Sequence, residues 1–206
     1  MRDFRLYVII DKNAVKNRDL VYIAGEAIAG GADVIQLRDK ESAAGEIVEA
    51  GRAIRKAVGK DKAVFIVNDR PDIALAVGAD GVHLGQDDMP VMAARSILGK
   101  DKIIGLSTHS LEQAAEAQNS GADYIGVGPI FSTPTKPGYE AVGLGLIKKV
   151  KNISRVPFVV IGGIDESNID DVIAAGGSRV AVVRAVCGAE DIREAAKRLK
   201  DKLAKI

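Results

Sequence analysis

The sequence contains Phe65-Ile-Val-Asn-Asp69 and, after a short spacer, Gly78-Ala-Asp-Gly-Val-His-Leu-Gly-Gln-Asp-Asp88. Two apolar runs in this region, Ala63 to Val67 and Gly81 to Leu84, each predict a buried β-strand that is followed by carboxylates. The connection between the runs is short. We therefore expect two successive parallel strands that are joined by a helix and lie side by side.

Asp69 and Asp88 follow these two predicted strands. Neighbouring strands lie roughly 5 Å apart, so the two carboxylates can face each other across one strand gap. In α/β barrels this end of the strands is where ligands bind. Two carboxylates with few other protein ligands suit a Mg²⁺ ion that keeps its waters and takes its remaining oxygens from a substrate phosphate. The alternative is that both aspartates only cap helices or turns.

Apolar, β-branched runs recur eight times, at about 25 residues per unit. The runs are Leu6 to Ile10, Val34 to Leu37, Val64 to Val67, Gly81 to Leu84, Ile103 to Leu106, Tyr124 to Val127, Phe158 to Ile161, and Val180 to Val183. Helical periodicity between them covers Glu41 to Val58, Leu111 to Asn119 and Ile192 to Leu203. Eight alternating units predict a single closed (β/α)₈ TIM barrel, and a length of 206 residues favours a single domain over residues 1–206.

The bulk composition narrows the classes of function. Lys and Arg total 29 against 28 acidic residues, so no overall field favours nucleic acid or a membrane surface. Cys187 is the only cysteine, which excludes an intramolecular disulfide and is typical of a cytoplasmic protein. The apolar stretch from Leu6 to Ile10 is too short for a signal sequence or a membrane span. We expect small-molecule partners, while the possibility of a homo-oligomer stays open.

A Gly-Ala-Asp triplet occurs at Gly31, Gly78 and Gly121, each time directly before a predicted strand. The segment Gly176-Gly-Ser178 occupies the corresponding place before the eighth strand. Glycine suits the left-handed position that ends a helix. We interpret the repeat as architectural and not as a binding site.

The second predicted strand supplies candidate diphosphate-binding residues. Its alternation places Gln36 and Arg38 on one face and Ile35 and Leu37 on the other. If the apolar pair packs against the outer helices, Gln36 and Arg38 point into the mouth of the barrel. Together with Lys40 they would suit a diphosphate. The alternative is an ordinary solvated loop, which is disfavoured because the inward Arg38 would be a buried charge without a partner.

Ser107 ends the fifth predicted strand, where its hydroxyl can contact a ligand. Alternatively, Ser107 or Ser110 caps the helix that follows. His83 and His109 are the only histidines, and neither has a partner at metal-ligand spacing. We therefore expect neither a histidine metal site nor a Ser-His-Asp triad, and interpret His83 as a hydrogen-bonded core residue.

The longest connection follows the sixth strand, from Gly128 to Leu144, and contains Thr133-Pro-Thr-Lys136. A long polar loop at this end of a barrel is typical of a lid or a substrate-binding segment, with an ordinary surface loop as the alternative. The seventh and eighth strands end at Gly162-Gly163 and Val183-Arg184, where such barrels usually bind phosphate. The sequence thus predicts two anion sites, one for diphosphate and one for monophosphate.

Together these motifs resemble the thiamine phosphate synthase family. The matching segments run in order over nearly the whole chain: Gln36-Leu-Arg-Asp-Lys40, Val67-Asn-Asp69, Gly78 to Asp88, Gly105-Leu-Ser107, Gly126 to Phe131, Thr133 to Lys136, and Ile161-Gly-Gly-Ile164. The resemblance implies a transferase of thiamine biosynthesis. Such an enzyme joins (4-amino-2-methylpyrimidin-5-yl)methyl diphosphate to a thiazole phosphate and releases diphosphate.

The resemblance also implies roles for individual residues. Binding of the pyrimidine diphosphate would fall to Gln36, Leu37, Arg38, Asp39, Lys40, Asn68, Ser107 and Lys136. Binding of the thiazole phosphate would fall to Thr133, Pro134, Thr135, Gly163, Val183 and Arg184. Mg²⁺ would be held by Asp69 and Asp88. Catalysis would rest on charge stabilisation of the departing diphosphate by Arg38, Lys40 and Lys136.

Three other functions compete with this interpretation. Thiazole tautomerases are related barrels that tend to lose the diphosphate and magnesium residues, and they carry a histidine where this chain has Pro129. A sugar-phosphate isomerase or epimerase would explain Gly162-Gly163 but not the paired aspartates. The third is a catalytically silent barrel that binds a phosphorylated ligand as a regulator, and a binding titration with a turnover assay would separate it from an enzyme.

Overall fold

The computed structural model describes residues 4–15, 18–59, 61–133, 138 and 140–205. In it, parallel strands pair in chain order and close into a barrel, with the first strand beside the last. The strands are β1 (Leu6–Asp11), β2 (Val34–Arg38), β3 (Val64–Asn68), β4 (Gly81–Leu84), β5 (Ile103–Thr108), β6 (Tyr124–Val127), β7 (Phe158–Ile161) and β8 (Val180–Val182). The predicted (β/α)₈ TIM barrel is confirmed, and β4, β6 and β7 have the predicted bounds.

Helices connect the strands and cover the outside of the barrel. They are α1 (Lys12–Val15), α2 (Leu20–Ala29), α3 (Ala44–Val58), α4 (Pro71–Ala76), α5 (Val91–Leu98), α6 (Leu111–Asn119), α7 (Leu144–Ile153), α8 (Ile169–Ala174), α9 (Arg184–Cys187) and α10 (Ile192–Leu203). Helices α6 and α10 have the predicted bounds, whereas α3 begins later than the predicted Glu41. The reason is that Asp39 Oδ1 accepts hydrogen bonds from the N–H groups of Glu41 and Ser42, which forms a turn before the helix.

None of the helices in the described ranges is long and apolar enough to cross a membrane. The cytoplasmic location that the cysteine content suggests stays a prediction.

The strand alternation separates two apolar layers. Side chains that point into the barrel form an inner cluster of Phe4, Tyr7, Ile9, Val34, Ile66, Tyr124, Val159 and Ala181. Ile35 and Leu37 belong instead to the larger cluster between the strands and the helices. The predicted orientation of β2 is therefore confirmed, and it leaves Gln36 and Arg38 on the inner face.

The Gly-Ala-Asp triplets lie at the N-terminal end of the barrel. Positive φ angles of 97°, 66° and 88° are found at Gly31, Gly78 and Gly121. The carboxylate of each triplet accepts a hydrogen bond from the backbone of the preceding strand. The pairs, at 2.7 to 2.9 Å, are Asp33 with Leu6, Asp80 with Phe65 and Asp123 with Ile104. These contacts agree with an architectural role, at the end of the barrel opposite the candidate site.

Candidate active site

A cavity of about 480 Å³ opens at the C-terminal ends of the strands. It is lined by four of the residues predicted for the pyrimidine diphosphate: Gln36, Arg38, Asn68 and Ser107. It is also lined by four of those predicted for the thiazole phosphate: Thr133, Gly163, Val183 and Arg184. Residues predicted for both anion sites therefore line one cavity, because the barrel brings the ends of its strands together.

Leu37 and Asp39, which were also predicted for the pyrimidine diphosphate, do not line this cavity. The side chain of Leu37 packs between the barrel and the helices, so only its backbone can reach a ligand. The carboxylate of Asp39 caps the turn before α3 and lies 3.2 Å from Lys12 Nζ. Pro134, Thr135 and Lys136 lie outside the described residues.

Arg38 has a buried partner that the sequence analysis misses. Its guanidinium forms an ion pair with Asp11, whose side chain is only 3% exposed. Asp11 ends β1 and is the register partner of Arg38 in β2. The expectation that an inward Arg38 would lack a partner is therefore wrong, since parallel neighbouring strands bring both residues to the same level. A carboxylate directly after an apolar run, the signal that identified Asp69, also marks Asp11.

Lys40, Asp69 and Asp88 form a charged cluster beside the cavity, at the ends of β2, β3 and β4. Lys40 Nζ lies 2.8 Å from Asp69 Oδ2, and the carboxyl groups of Asp69 and Asp88 are in hydrogen-bonding contact. Burial, followed by the adjacent Asp88, raises the pKa of Asp69, although Lys40 opposes that shift. Asp88 Oδ2 also accepts a hydrogen bond from the N–H of Gly85 at 2.6 Å, so this residue closes a turn as well.

This pair of carboxylates fits a hard cation. Asp69 has φ 61°, a left-handed conformation that residues other than glycine adopt rarely and that is enriched at functional sites. Two carboxylates in contact repel each other unless a proton or a cation intervenes. The described residues contain no cluster of three or more metal-ligating side chains, so water and substrate would supply the other ligands. Mg²⁺ is the ion that is usually bound in this way.

A chain of hydrogen bonds crosses the floor of the cavity. Gln36 Nε2 donates to Tyr7 Oη at 2.5 Å, and the hydroxyls of Tyr7 and Tyr124 lie 3.0 Å apart. Tyr124 Oη lies 2.8 Å from His83 Nδ1, while His83 Nε2 lies 2.9 Å from Ser107 Oγ. We call these five residues the floor chain. His83 is hydrogen-bonded as interpreted, but it also lines the cavity, which the sequence analysis did not predict.

The two tyrosines of the floor chain are neutral hydrogen-bonding groups. Burial raises the pKa of both Tyr7 and Tyr124 well above that of an ordinary phenol. A Cβ at Gly105 would overlap the ring of Tyr124 and Nδ1 of His83, so glycine leaves the room for this contact. Neither tyrosine was predicted as a site residue, since strand alternation can place a side chain inside the barrel but cannot identify its partners.

Ser107, at the end of the floor chain, and Ser110, the next serine in the sequence, have different roles. Ser110 Oγ accepts a hydrogen bond from the N–H of Gln113 and caps α6. Ser107 lies within β5 and lines the cavity. Ser110 and not Ser107 therefore caps α6, and contact of Ser107 with a ligand stays a prediction.

The glycines after β7 approach the loop that follows β6. Gly162 and Gly163 have φ angles of 106° and 62°, which favour glycine. A Cβ on Gly162 would overlap Pro129, and a Cβ on Gly163 would lie 2.7 Å from the carbonyl oxygen of Ser132. The backbone therefore forms this part of the cavity wall, next to Arg184 at the start of α9.

Comparison with known proteins places this barrel in one family. The family model for thiamine monophosphate synthase matches residues 6–186. The thiamine-phosphate synthase of Halalkalibacterium halodurans is 48% identical over 194 residues, which cover 94% of this chain and 92% of that protein. That of Clostridium acetobutylicum is 45% identical over 199 residues, or 97% and 94% of the two chains. The solved thiamine phosphate pyrophosphorylase from Pyrococcus furiosus superposes with a TM-score of 0.89 at 40% identity, covering 98% of this chain and 96% of that one. Since the match spans the strands that build the cavity, the chain belongs to the thiamine monophosphate synthase family.

Proposed function

We propose that this protein condenses (4-amino-2-methylpyrimidin-5-yl)methyl diphosphate with a thiazole phosphate, giving thiamine phosphate and diphosphate. Family membership makes the chain an enzyme of thiamine phosphate synthesis. The observation that best supports the detailed reaction is the composition of the cavity. Arg38 and the neighbouring Lys40, Asp69 and Asp88 suit a diphosphate, whereas the backbone at Gly163 suits a second, smaller anion.

Asp69 and Asp88 would hold Mg²⁺ in this reaction. When bound, the ion would neutralise negative charge on the diphosphate and make it a better leaving group. Two side chains of the protein would stabilise the same negative charge on the diphosphate. They are Arg38, which is oriented by Asp11, and Lys40, which lies beside Asp69. Lys136 is proposed as a third.

The proposed reaction needs no general base. The C–O bond between the pyrimidine methylene and the diphosphate breaks, and its electron pair leaves with the diphosphate. The electron-rich aminopyrimidine stabilises the resulting methylene cation. The ring nitrogen of the thiazole then donates its lone pair and forms the new C–N bond. The protein contributes by binding both substrates in one cavity, so that the nucleophile is already in position when the bond breaks.

The thiazole phosphate would bind at the other part of the cavity. The proposed ligands are Thr133, Pro134, Thr135, Gly163, Val183 and Arg184. Support comes from the positions of Thr133, Gly163 and Arg184, which all line the cavity. The positive φ of Gly163 and the absence of a Cβ there let the loop after β6 pack against this part of the cavity wall.

Diphosphate release by the purified protein tests this proposal. We expect release only when both organic substrates and Mg²⁺ are present, with an equal amount of thiamine phosphate, and we expect a chelator to stop it. Asp88→Asn should abolish release, whereas Asp33→Asn, at the opposite end of the barrel, should retain it in the fraction that folds. Binding of either phosphate without any release would contradict the proposal and favour a tautomerase or a silent binding protein.

A further inference from the structure

The floor chain has a direction. Tyr7 and Tyr124 are fully buried, and each hydroxyl has one hydrogen to donate. Tyr7 accepts from Gln36 Nε2, and within the described residues its other partner is Tyr124. Tyr7 must therefore donate to Tyr124, because the reverse would leave its hydrogen without an acceptor in a buried site. Tyr124 then donates to Nδ1 of His83.

This direction extends to Ser107. A neutral histidine that accepts at Nδ1 carries its proton on Nε2, so His83 donates to Ser107 Oγ. Ser107 keeps its own hydrogen for the cavity. At the other end, Gln36 uses its amide nitrogen on Tyr7 and keeps its amide oxygen for the cavity. The floor of the cavity thus offers an acceptor at Gln36 and a donor at Ser107.

We propose that Tyr7, Tyr124 and His83 are positioning residues that set the hydrogen-bond polarity of Gln36 and Ser107, and so make the cavity select an aminopyrimidine over the matching oxopyrimidine. The inference rests on the proposed function, which supplies a pyrimidine diphosphate as the ligand. A 4-amino group donates and suits the oxygen of Gln36, while a ring nitrogen accepts and suits the hydroxyl of Ser107.

A 4-oxo analogue reverses both groups, because it presents a carbonyl oxygen and a ring N–H. To match it, every hydrogen bond of the floor chain would have to reverse, including the tautomer of His83. Sites with fixed buried polar groups reject ligands that leave those groups unpaired. The selectivity therefore depends on the floor chain acting as one unit.

Packing restricts the floor chain further. The ring centroids of His83 and Tyr124 are 5.4 Å apart. Phe4 meets both Tyr7 and Tyr124 edge-on, at centroid distances of 6.4 Å and 6.3 Å. Phe4 touches the same rings but has no side-chain hydrogen-bonding atom. It is therefore a matched control for the effects of packing alone.

The test removes one hydroxyl and keeps its ring. For the wild type, Tyr124→Phe, Tyr7→Phe and the control Phe4→Leu, titration calorimetry with Mg²⁺ gives the affinities for the aminopyrimidine diphosphate and its 4-oxo analogue. We expect the wild type to prefer the amino compound, and this preference to fall by about tenfold or more in each tyrosine variant. The KM for the aminopyrimidine diphosphate should rise more than kcat falls, and Phe4→Leu should keep the preference.

Several results would overturn the inference. One is equal affinity of the wild type for both compounds, a result that does not depend on whether any variant folds. Another is an unchanged preference in either Tyr124→Phe or Tyr7→Phe, whichever folds, and a third is an equal loss in Phe4→Leu. Failure of the proposed function is a separate result, since the wild type would then release no diphosphate from the two substrates.

Discussion

The ammonium group of Lys40 lies 2.8 Å from Oδ2 of Asp69 at the ends of two neighbouring strands. The carboxyl group of Asp88 contacts Asp69 as well, so Asp69 meets both an ammonium group and a second carboxyl group. The pKa of Asp69 is raised because burial and Asp88 outweigh Lys40. A further positive charge, either a proton or the proposed Mg²⁺, would relieve the repulsion between these two carboxyl groups.

The first prediction concerns the coupling of these carboxyl groups. Asp88→Asn should lower the pKa of Asp69, because it removes the neighbouring negative charge while the burial of Asp69 remains. Carbon-13 NMR titration of the aspartate side chains measures the shift. Asp72→Asn is the control, since Asp72 pairs with Arg70 on the surface and should leave the pKa of Asp69 unchanged. An unaltered Asp69 titration in Asp88→Asn would show that the two groups are not coupled.

The second prediction links Asp69 to the pH dependence of stability. A carboxyl whose pKa is raised in the folded state binds its proton more tightly there than in the unfolded chain. Its contribution to the free energy of unfolding is therefore largest below the unfolded pKa, near 3.8, and is lost as pH rises through the folded pKa. Asp69→Asn should remove this loss. Urea unfolding in the presence of a chelator measures the free energy of unfolding at each pH in this window. We expect that free energy to change less with pH in Asp69→Asn than in the wild type. The same pH dependence in both proteins would contradict the expectation.

The third prediction concerns the ion pair of Arg38 and Asp11. Asp11→Asn keeps an oxygen for the N–H groups of Asn13 and Ala14 but leaves Arg38 without its counter-charge. Breaking a buried pair in this way should lower the free energy of unfolding by about 3–5 kcal/mol. Added diphosphate should raise the melting temperature of this variant more than that of the wild type, since the anion replaces the lost charge. An equal rise in both proteins would show that Arg38 does not contact the anion.

The fourth prediction concerns the space that Gly105 leaves. Gly105→Ala should lower the free energy of unfolding by about 1–3 kcal/mol, because the new Cβ overlaps Tyr124 and His83. Gly25→Ala is the opposite case, since Gly25 lies within α2 with open space around it. That substitution should raise stability by about 0.5–1 kcal/mol. Chemical denaturation measures both, and a stable Gly105→Ala would mean that the two rings can move apart.

The fifth prediction separates the two anion sites. Gly163→Ala should raise the KM for the thiazole phosphate and leave the KM for the pyrimidine diphosphate nearly unchanged, because the added Cβ meets Ser132 in the cavity wall. Gly59→Ala is the matched control. Gly59 has a similar φ of 64° but open space around it, at the end of α3. With ψ 171°, Gly59→Ala should show the strain of the backbone, about 1–3 kcal/mol, without any change in KM.

Local patterns in the sequence were sufficient for the barrel. Apolar runs with a period of two and helices with a period near 3.6 are properties of neighbouring residues, so β4, β6 and α10 could be bounded without any tertiary information. The same alternation turned Gln36 and Arg38 inward. Pairing of successive strands was also enough to bring Asp69 and Asp88 together, since β3 and β4 are consecutive.

Only the tertiary structure decided which inward side chains meet. Tyr7 and Tyr124 are 117 residues apart in sequence, and His83 and Tyr124 are 41 apart, yet their hydrogen bonds form the floor of the cavity. Closure of the barrel brings β1, β4 and β6 around one interior, and the stagger of the strands sets the level at which each side chain enters it. That level is a property of the closed sheet and cannot be read from any one strand. The sequence by itself therefore determined the barrel and the ends of its strands, whereas the contacts across the barrel depended on its closure.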